Sequence, residues 1–255
     1  MSNKICLITG AAEGIGKATL IKFLTNGYYC FGIDVNPTTS ERLMNEVPEH
    51  LKSSLDFINC NLLENESIEY IYEKLEQIAD RDTCITLINN VGGSIYWGKE
   101  KKDLPWERFM ETLNFNLKPM YHLSKKLINI MKKSRRGNIV NISSISGRAA
   151  LHTVGEDYSA AKAAVIGFSR RLASEVAEYN ILVNTVCPGI IGTERILERW
   201  RKRDEKENQN ILKLIPLKRI GNPKEVANSV YFLGSEENTY ITGAILDVNG
   251  GMYIP

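Results

Sequence analysis

The 255-residue chain is predicted to be α/β: a doubly wound parallel sheet, Rossmann-like, of about seven strands with helices on both faces. Short apolar, β-branched runs alternate with longer helical patterns from end to end, as parallel strands joined by crossover helices do. The first run feeds a glycine-rich turn, and polar or acidic residues follow the ends of several others. Right-handed crossovers carry the C-terminal ends of parallel strands to one edge, so these residues converge there. Strand text falls at residues 4–9, 29–34, 55–60, 83–88, 137–142, 182–187 and 244–248, and helical text notably at 65–79, 105–132, 157–179 and 223–234. No repeat or linker interrupts the pattern, so residues 1–255 are read as one domain, a length that a single α/β core can hold.

The first element, Lys4-Ile5-Cys6-Leu7-Ile8-Thr9, runs into Gly10-Ala11-Ala12-Glu13-Gly14-Ile15-Gly16. An apolar helical pattern follows, with Ile15, Ala18, Leu20, Ile21, Phe23 and Leu24. Strand, glycine turn and helix are the parts of a dinucleotide site. Gly10 permits the tight turn, Gly14 lets the backbone approach pyrophosphate, and Gly16 permits close packing. The helix N-terminus offers N–H groups and a favourable dipole to phosphates. The second element ends in Asp34, near where a carboxylate binds the adenosine ribose hydroxyls. Its charge favours NAD and repels the 2′-phosphate of NADP. Glu13 adds a second negative charge, and Val35-Asn36 bring no arginine to offset it.

The fifth strand, Gly137-Asn138-Ile139-Val140-Asn141-Ile142, delivers Ser143 and Ser144 to the same edge. An Ala-rich helix follows with Tyr158 and Lys162, four apart and so on one face. An ammonium beside a phenol favours phenolate, and tyrosine, which ionises near pH ~10, needs such help to act near neutrality. The same spacing occurs at Tyr70/Lys74 and Tyr121/Lys125, where no strand-end serine stands upstream; those pairs read as helix surface.

These residues resemble the short-chain dehydrogenase/reductase family over about residues 4–252. Thr9-Gly10-x-x-x-Gly14-Ile15-Gly16 is similar to the family's glycine motif, and Asn89-Asn90-Val91-Gly92 to its Asn-Asn-Ala-Gly. The resemblance implies catalytic roles for Ser144, Tyr158 and Lys162, with Asn116 helping to hold a proton-relay water. Lys162 would also bind the nicotinamide ribose. Asn90 and Gly92 would support the cofactor, and Pro188, Gly189, Ile191 and Thr193 belong to the segment expected to hold the nicotinamide carboxamide. Asn61 and Leu62 would lie at the adenine, with Asn61 standing where many members have aspartate. Val91 replaces alanine, the loop from Ser144 to Tyr158 is slightly long, and Pro119 cannot donate to the Phe115 carbonyl, so a kink is expected near Asn116. The expected activity is reversible hydride transfer between NAD and a secondary alcohol or ketone. A cytoplasmic homotetramer is implied as well.

Substrate choice is expected from less regular text: Ser94, Tyr96 and Trp97 after the Asn-Asn-Val-Gly turn, His152, and the stretch 194–214. That stretch reads as a helical flap in which Arg195 meets a substrate carboxylate, or as a surface helix with its apolar stripe on the body. Within the family, a 3-oxoacyl-[acyl-carrier-protein] reductase is the runner-up, with cis-dihydrodiol and sugar alcohol dehydrogenases as further options. A nucleotide-sensing scaffold without activity is the alternative from another class.

Composition sets the remaining bounds. The 32 basic and 30 acidic residues leave a net charge of +2, which implies no nucleic-acid partner. The basic run at Arg199-Trp200-Arg201-Lys202-Arg203 is flanked by acids and reads as a solvated face. Cys6, Cys30, Cys60, Cys84 and Cys187 are widely spaced without a C-x-x-C pair or histidine cluster, so no metal or disulfide framework is expected. No apolar run approaches membrane-spanning length, and the early first strand leaves no room for a signal peptide.

Overall fold

The computed structural model describes residues 3–96, 104–151 and 154–255. Seven strands form one sheet in the order β3-β2-β1-β4-β5-β6-β7, every pairing parallel. They are β1 (Lys4–Thr9), β2 (Tyr29–Asp34), β3 (Leu55–Asn59), β4 (Cys84–Asn89), β5 (Gly137–Ile142), β6 (Ile181–Pro188) and β7 (Ile245–Val248). The helices are α1 (Gly14–Thr25), α2 (Pro37–Glu46), α3 (Glu49–Lys52), α4 (Asn65–Ile78), α5 (Trp106–Ser134), α6 (Glu156–Val176), α7 (Glu194–Lys202), α8 (Glu205–Lys213) and α9 (Pro223–Gly234).

The strands are apolar along their whole length because both faces of the sheet are covered. Alternation along β1 sorts side chains into two cores. Ile5 and Leu7 join Ile71 and Leu75 of α4, Leu123 and Leu127 of α5 and Leu172 of α6. Cys6 and Ile8 face the other way, against Leu20 and Phe23 of α1, Leu43 of α2 and Val230 of α9. Each fully buried Leu, Ile or Phe contributes roughly 1.5–3 kcal/mol of transfer free energy. Cys6, Cys30, Cys84 and Cys187 are buried free thiols that pack as small apolar groups, and Cys60 is half-buried.

Two boundaries differ in kind from expectation. The helix expected through residue 179 ends as α6 at Val176 and closes in a 3-10 turn over Ala177–Tyr179, with Asn180 left-handed at φ 56°. The flap over 194–214 is two helices: Thr193 caps α7 and Asp204 accepts the Glu207 N–H at the start of α8. Helix α5 continues through Pro119. Among the described residues no helix is long and apolar enough to cross a membrane.

Candidate active site

The strand order turns at β1, whose neighbours β2 and β4 lead the chain in opposite directions; crevices for ligands open beside such a switch, at the strands' C-terminal ends. A cleft of about 520 Å³ lies there, lined by Gly10, Gly14, Ile15, Asp34, Asn90, Gly92, Ser144, Tyr158, Lys162 and Pro188 among others. Its floor is tied together by β1 and β4. Thr9 Oγ1 accepts the N–H groups of Asn90 (2.9 Å) and Val91 (3.0 Å), while Asn90 Nδ2 donates to the carbonyls of Thr9 (2.9 Å) and Gly10 (3.1 Å). Gly10 is left-handed at φ 63°, and a Cβ there would stand 3.0 Å from Asn90 Nδ2.

Gly16 does not reach the cleft, contrary to its place among the expected cofactor contacts. A Cβ at Gly16 would lie 1.9 Å from the Gly10 carbonyl oxygen, so its task is to let α1 start hard against the turn. The N-terminus of α1 then opens toward the cleft. Gly14 N–H donates to Glu194 Oε2 at 3.0 Å, a contact across 180 positions that local text did not announce. Asp34 lines the cleft with its carboxylate held in place: Oδ2 accepts from Ala12 N–H (3.1 Å) and Oδ1 from Asn36 N–H (3.2 Å). The expectation that no arginine offsets Glu13 needs correction. Arg42, one turn into α2, pairs with Glu13 Oε1 at 2.5 Å. Asn61 and Leu62 line the same end. The Asn61 amide is engaged locally, accepting from Leu63 N–H (3.1 Å) and donating to Glu64 (3.0 Å).

At the other end Ser144 follows β5 and Tyr158 and Lys162 rise from α6. Ser144 Oγ accepts the Ser146 N–H at 3.1 Å and donates to Ser146 Oγ at 3.1 Å, on the side of the cleft that Tyr158 also lines. Lys162 is 3% exposed; its Nζ donates to the Ile142 carbonyl at 3.0 Å and lies 5.8 Å from the Tyr158 ring centroid. Burial holds the Lys162 ammonium down to about 8, with the positive Arg195 acting the same way and Cys187 opposing. Acidification of Tyr158 by Lys162 was expected; burial instead raises the phenol above its ordinary value. The Ser144 hydroxyl and the Arg195 charge pull it back, and Cys187 adds to the rise.

Asn116 sits behind the wall of the cleft rather than in it, at 1% exposure. Its Oδ1 accepts Gly93 N–H (2.9 Å), and its Nδ2 donates to the carbonyls of Gly93 (3.0 Å) and Thr112 (2.8 Å). The side chain is thereby occupied in shaping Gly92–Gly93. A Cβ on Gly92 would meet Asn116 Oδ1 at 2.6 Å and Lys162 Nζ at 2.8 Å. Phe115 and Pro119 do line the cleft.

Gly189, Ile191 and Thr193 line the cleft beside Pro188, as do Glu13, Ser94 and Arg195. Tyr96 does not: its hydroxyl donates to the Glu111 carboxylate and Arg108 stacks 4.9 Å over its ring. Trp97 and His152 lie outside the described residues. Sequence reasoning missed Arg199 and Arg203, which face the cleft rather than forming a solvated surface; the four-residue steps from Arg195 to Arg199 and from Arg199 to Arg203 were the available signal. Among the described residues no group of three or more His, Cys, Asp or Glu is arranged to hold a metal ion.

The site fits a dinucleotide. A strand-end glycine turn feeds a helix N-terminus, an acid stands at the end of β2, and Gly92 leaves room that any side chain would fill. Comparison with known proteins agrees. A family model described as enoyl-(acyl carrier protein) reductase matches residues 10–253. The chain is 35% identical to the 3-oxoacyl-[acyl-carrier-protein] reductase FabG of Thermotoga maritima, over 100% of this chain and 99% of that protein. It is 36% identical to the FabG of Escherichia coli, over 98% of each. Among solved structures, YwfH, an NADPH-dependent reductase involved in bacilysin biosynthesis, superposes with a TM-score of 0.88 at 27% identity, covering 99% of both chains. ElxO with NADP bound does so with 0.88 at 28% identity, again over 99% of both. The chain belongs to the short-chain dehydrogenase/reductase family and is an oxidoreductase that uses a nicotinamide cofactor to act on a ketone or alcohol group.

Proposed function

We propose that this chain, as one domain over residues 1–255, exchanges hydride between NAD and a secondary alcohol or ketone, with Tyr158 moving the proton. The observation that carries this reading is the meeting of Ser144, Tyr158 and Lys162 in the same cleft as the Gly10–Ile15 turn. A bound nicotinamide supplies a hydride acceptor or donor. In reduction Tyr158 gives its phenolic proton to the carbonyl oxygen; in oxidation the phenol first releases its proton to solvent, and the phenolate oxygen then takes the alcohol proton. Ser144 positions and polarises the substrate oxygen by hydrogen bonding. Lys162, held by the Ile142 carbonyl, binds cofactor ribose hydroxyls beside Gly92. Asn116 acts at one remove, by fixing the Gly92–Gly93 backbone.

NAD is favoured because Asp34 is pinned at the ribose end by two backbone N–H groups, where a 2′-phosphate would meet a fixed carboxylate. Arg42 is the feature that favours NADP, and its pairing with Glu13 diverts it. The NADP and NADPH in the names of two similar structures make the comparison necessary. A screen of polyols, hydroxy acids and dihydrodiols by NADH absorbance, run with wild type and Tyr158→Phe, tests the reading. Turnover lost in the phenylalanine variant with NADH binding retained is the expected result; a variant that keeps most of its kcat sinks it. A higher kcat/KM with NADP would overturn the cofactor assignment.

The FabG names borne by relatives support a second reading, reduction of a 3-oxoacyl thioester. Acetoacetyl-thioester reduction with NADH and NADPH separates it from alcohol oxidation. A cytoplasmic homotetramer is part of the proposal, and sedimentation equilibrium tests the oligomer.

A further inference from the structure

Two ends of the cleft carry opposite charge. Asp34 and Glu13 stand at the ribose end, whereas Arg195, Arg199 and Arg203 line it from α7 and its C-terminal cap. One helical turn separates each arginine from the next, so they present one face. Arg195 is the one that reaches Gly93: its two terminal guanidinium nitrogens stand 2.9 and 3.0 Å from where a Cβ on Gly93 would be, although the residue as a whole is exposed. Gly93 is the residue whose backbone Asn116 clasps, next to the Gly92 that faces Lys162. Arg195 is therefore at the Ser144–Tyr158–Lys162 end, and its charge is felt by both Tyr158 and Lys162.

Acids of the same segment have partners of their own, and Glu198 also acts on Arg199. Glu194 accepts from Gly14 N–H, Glu198 pairs with Lys202 at 2.6 Å, Asp204 caps α8, and Glu205 accepts from Gln209 at 2.7 Å. Among the described residues no carboxylate pairs with Arg195 or Arg203. Arg199 and Arg203 are half-buried and Arg195 is exposed; burial, with the Arg195 and Arg203 charges, holds the Arg199 guanidinium below its ordinary value, and Glu198 opposes the fall. Such a face is relieved by an anion. The cofactor's phosphates have their own seat at the N-terminus of α1, so the anion sought at Arg195 is on the other reactant.

We propose that α7 is an anion-reading wall, in which Arg195, backed by Arg199 and Arg203, takes a negatively charged group of the substrate, so that hydroxy and oxo compounds bearing a carboxylate or phosphate are preferred over neutral ones. This rests on the reading of the Tyr158 cleft as the reaction site. Arginine's planar fork suits both anions, and a charge-assisted pair with it discriminates by roughly tenfold or more.

The test uses 2-, 3- and 4-oxo acids, each paired with its methyl ester, together with acetoacetyl-CoA and the neutral N-acetylcysteamine thioester of acetoacetate, all with NADH. Wild type should favour acid over ester, or CoA over neutral thioester, by about tenfold or more in kcat/KM. The first preference assigns the anion to a carboxylate and the second to carrier phosphates. Either ratio should fall about tenfold in Arg195→Gln and less in Arg199→Gln, with KM for the anionic member rising between about 0.05 and 0.5 M salt. The dissociation constant for NADH should change little. Equal rates for the charged and neutral members, or ratios unmoved by both substitutions, overturn the proposal. If nothing turns over, the same pairs are titrated against NADH-loaded enzyme by NADH fluorescence; acids and esters binding alike also overturns it. Tyr158→Phe runs alongside: turnover surviving there refutes the proton-transfer reading while the charged-to-neutral ratio still judges the wall.

Discussion

Helices α4, α5 and α6 each carry a tyrosine four residues before a lysine, and the three pairs meet different surroundings. Tyr70 on α4 is 50% exposed and Lys74 reaches Asp56 at 3.5 Å; Tyr121 on α5 is 46% exposed and Lys125 pairs with Glu175 at 3.1 Å. On α6, Lys162 is buried against the Ile142 carbonyl and Tyr158 faces the cleft beside Ser144. Spacing places two side chains on one helical face in all three cases. Which face that is depends on how the helix lies on the sheet. Helix α6 begins beside the end of β5, so its first turns overhang the strand ends, and its exposed flank is the wall of a cleft rather than open water.

Conservative substitutions sharpen this contrast. Tyr158→Phe should cost roughly 10²–10⁴-fold in kcat, the usual contribution of a positioned acid or base, while Tyr70→Phe and Tyr121→Phe stay near wild type in the same assay. Comparable losses at all three would mean that placement in the cleft is not what matters. Ser144→Ala should come next, with a fall of roughly 10²-fold in kcat as one polarising hydrogen bond is removed.

A stability measurement separates the lysines. Lys162 titrates near 8 in the fold, whereas an unfolded lysine holds its proton to about 10.4. Between these values the unfolded chain binds more protons, so this group makes stability rise with pH from about 8 to 10. Denaturant melts of wild type and Lys162→Met should diverge over that window by on the order of 2 kcal/mol, with the slope absent in the variant. A parallel course would show that Lys162 is not desolvated. Lys74→Met and Lys125→Met should have the smallest effect, shifting the melts little and less still in salt, because their partners are exposed carboxylates.

Local text made much of this protein legible. Each strand is an apolar run, and Gly10, Gly14 and Asp34 sit at run ends, so their convergence follows from parallel topology alone. The family resemblance, not local text, marks Asn116 as a site residue, and its position behind Gly93 is not readable from the sequence, since the side chain turns toward backbone that returns from another strand. The basic run after Arg195 looked solvated because its flanking acids are near in sequence. In space those acids bond to Lys202 and to helix-cap N–H groups; Arg199 and Arg203 turn to the cleft, while Arg201 and Lys202 stay exposed as expected.

Residue pattern, then, was enough to specify a parallel sheet, a nucleotide turn and a tyrosine–lysine face, because hydrophobic period and helical geometry act over a few residues and need no partner. Contacts such as Glu194 on Gly14, Arg42 on Glu13 and Arg195 on Gly93 were settled by the packed fold. They join positions far apart in the chain, where the orientation of whole helices on the sheet, rather than any local preference, decides which charge meets which.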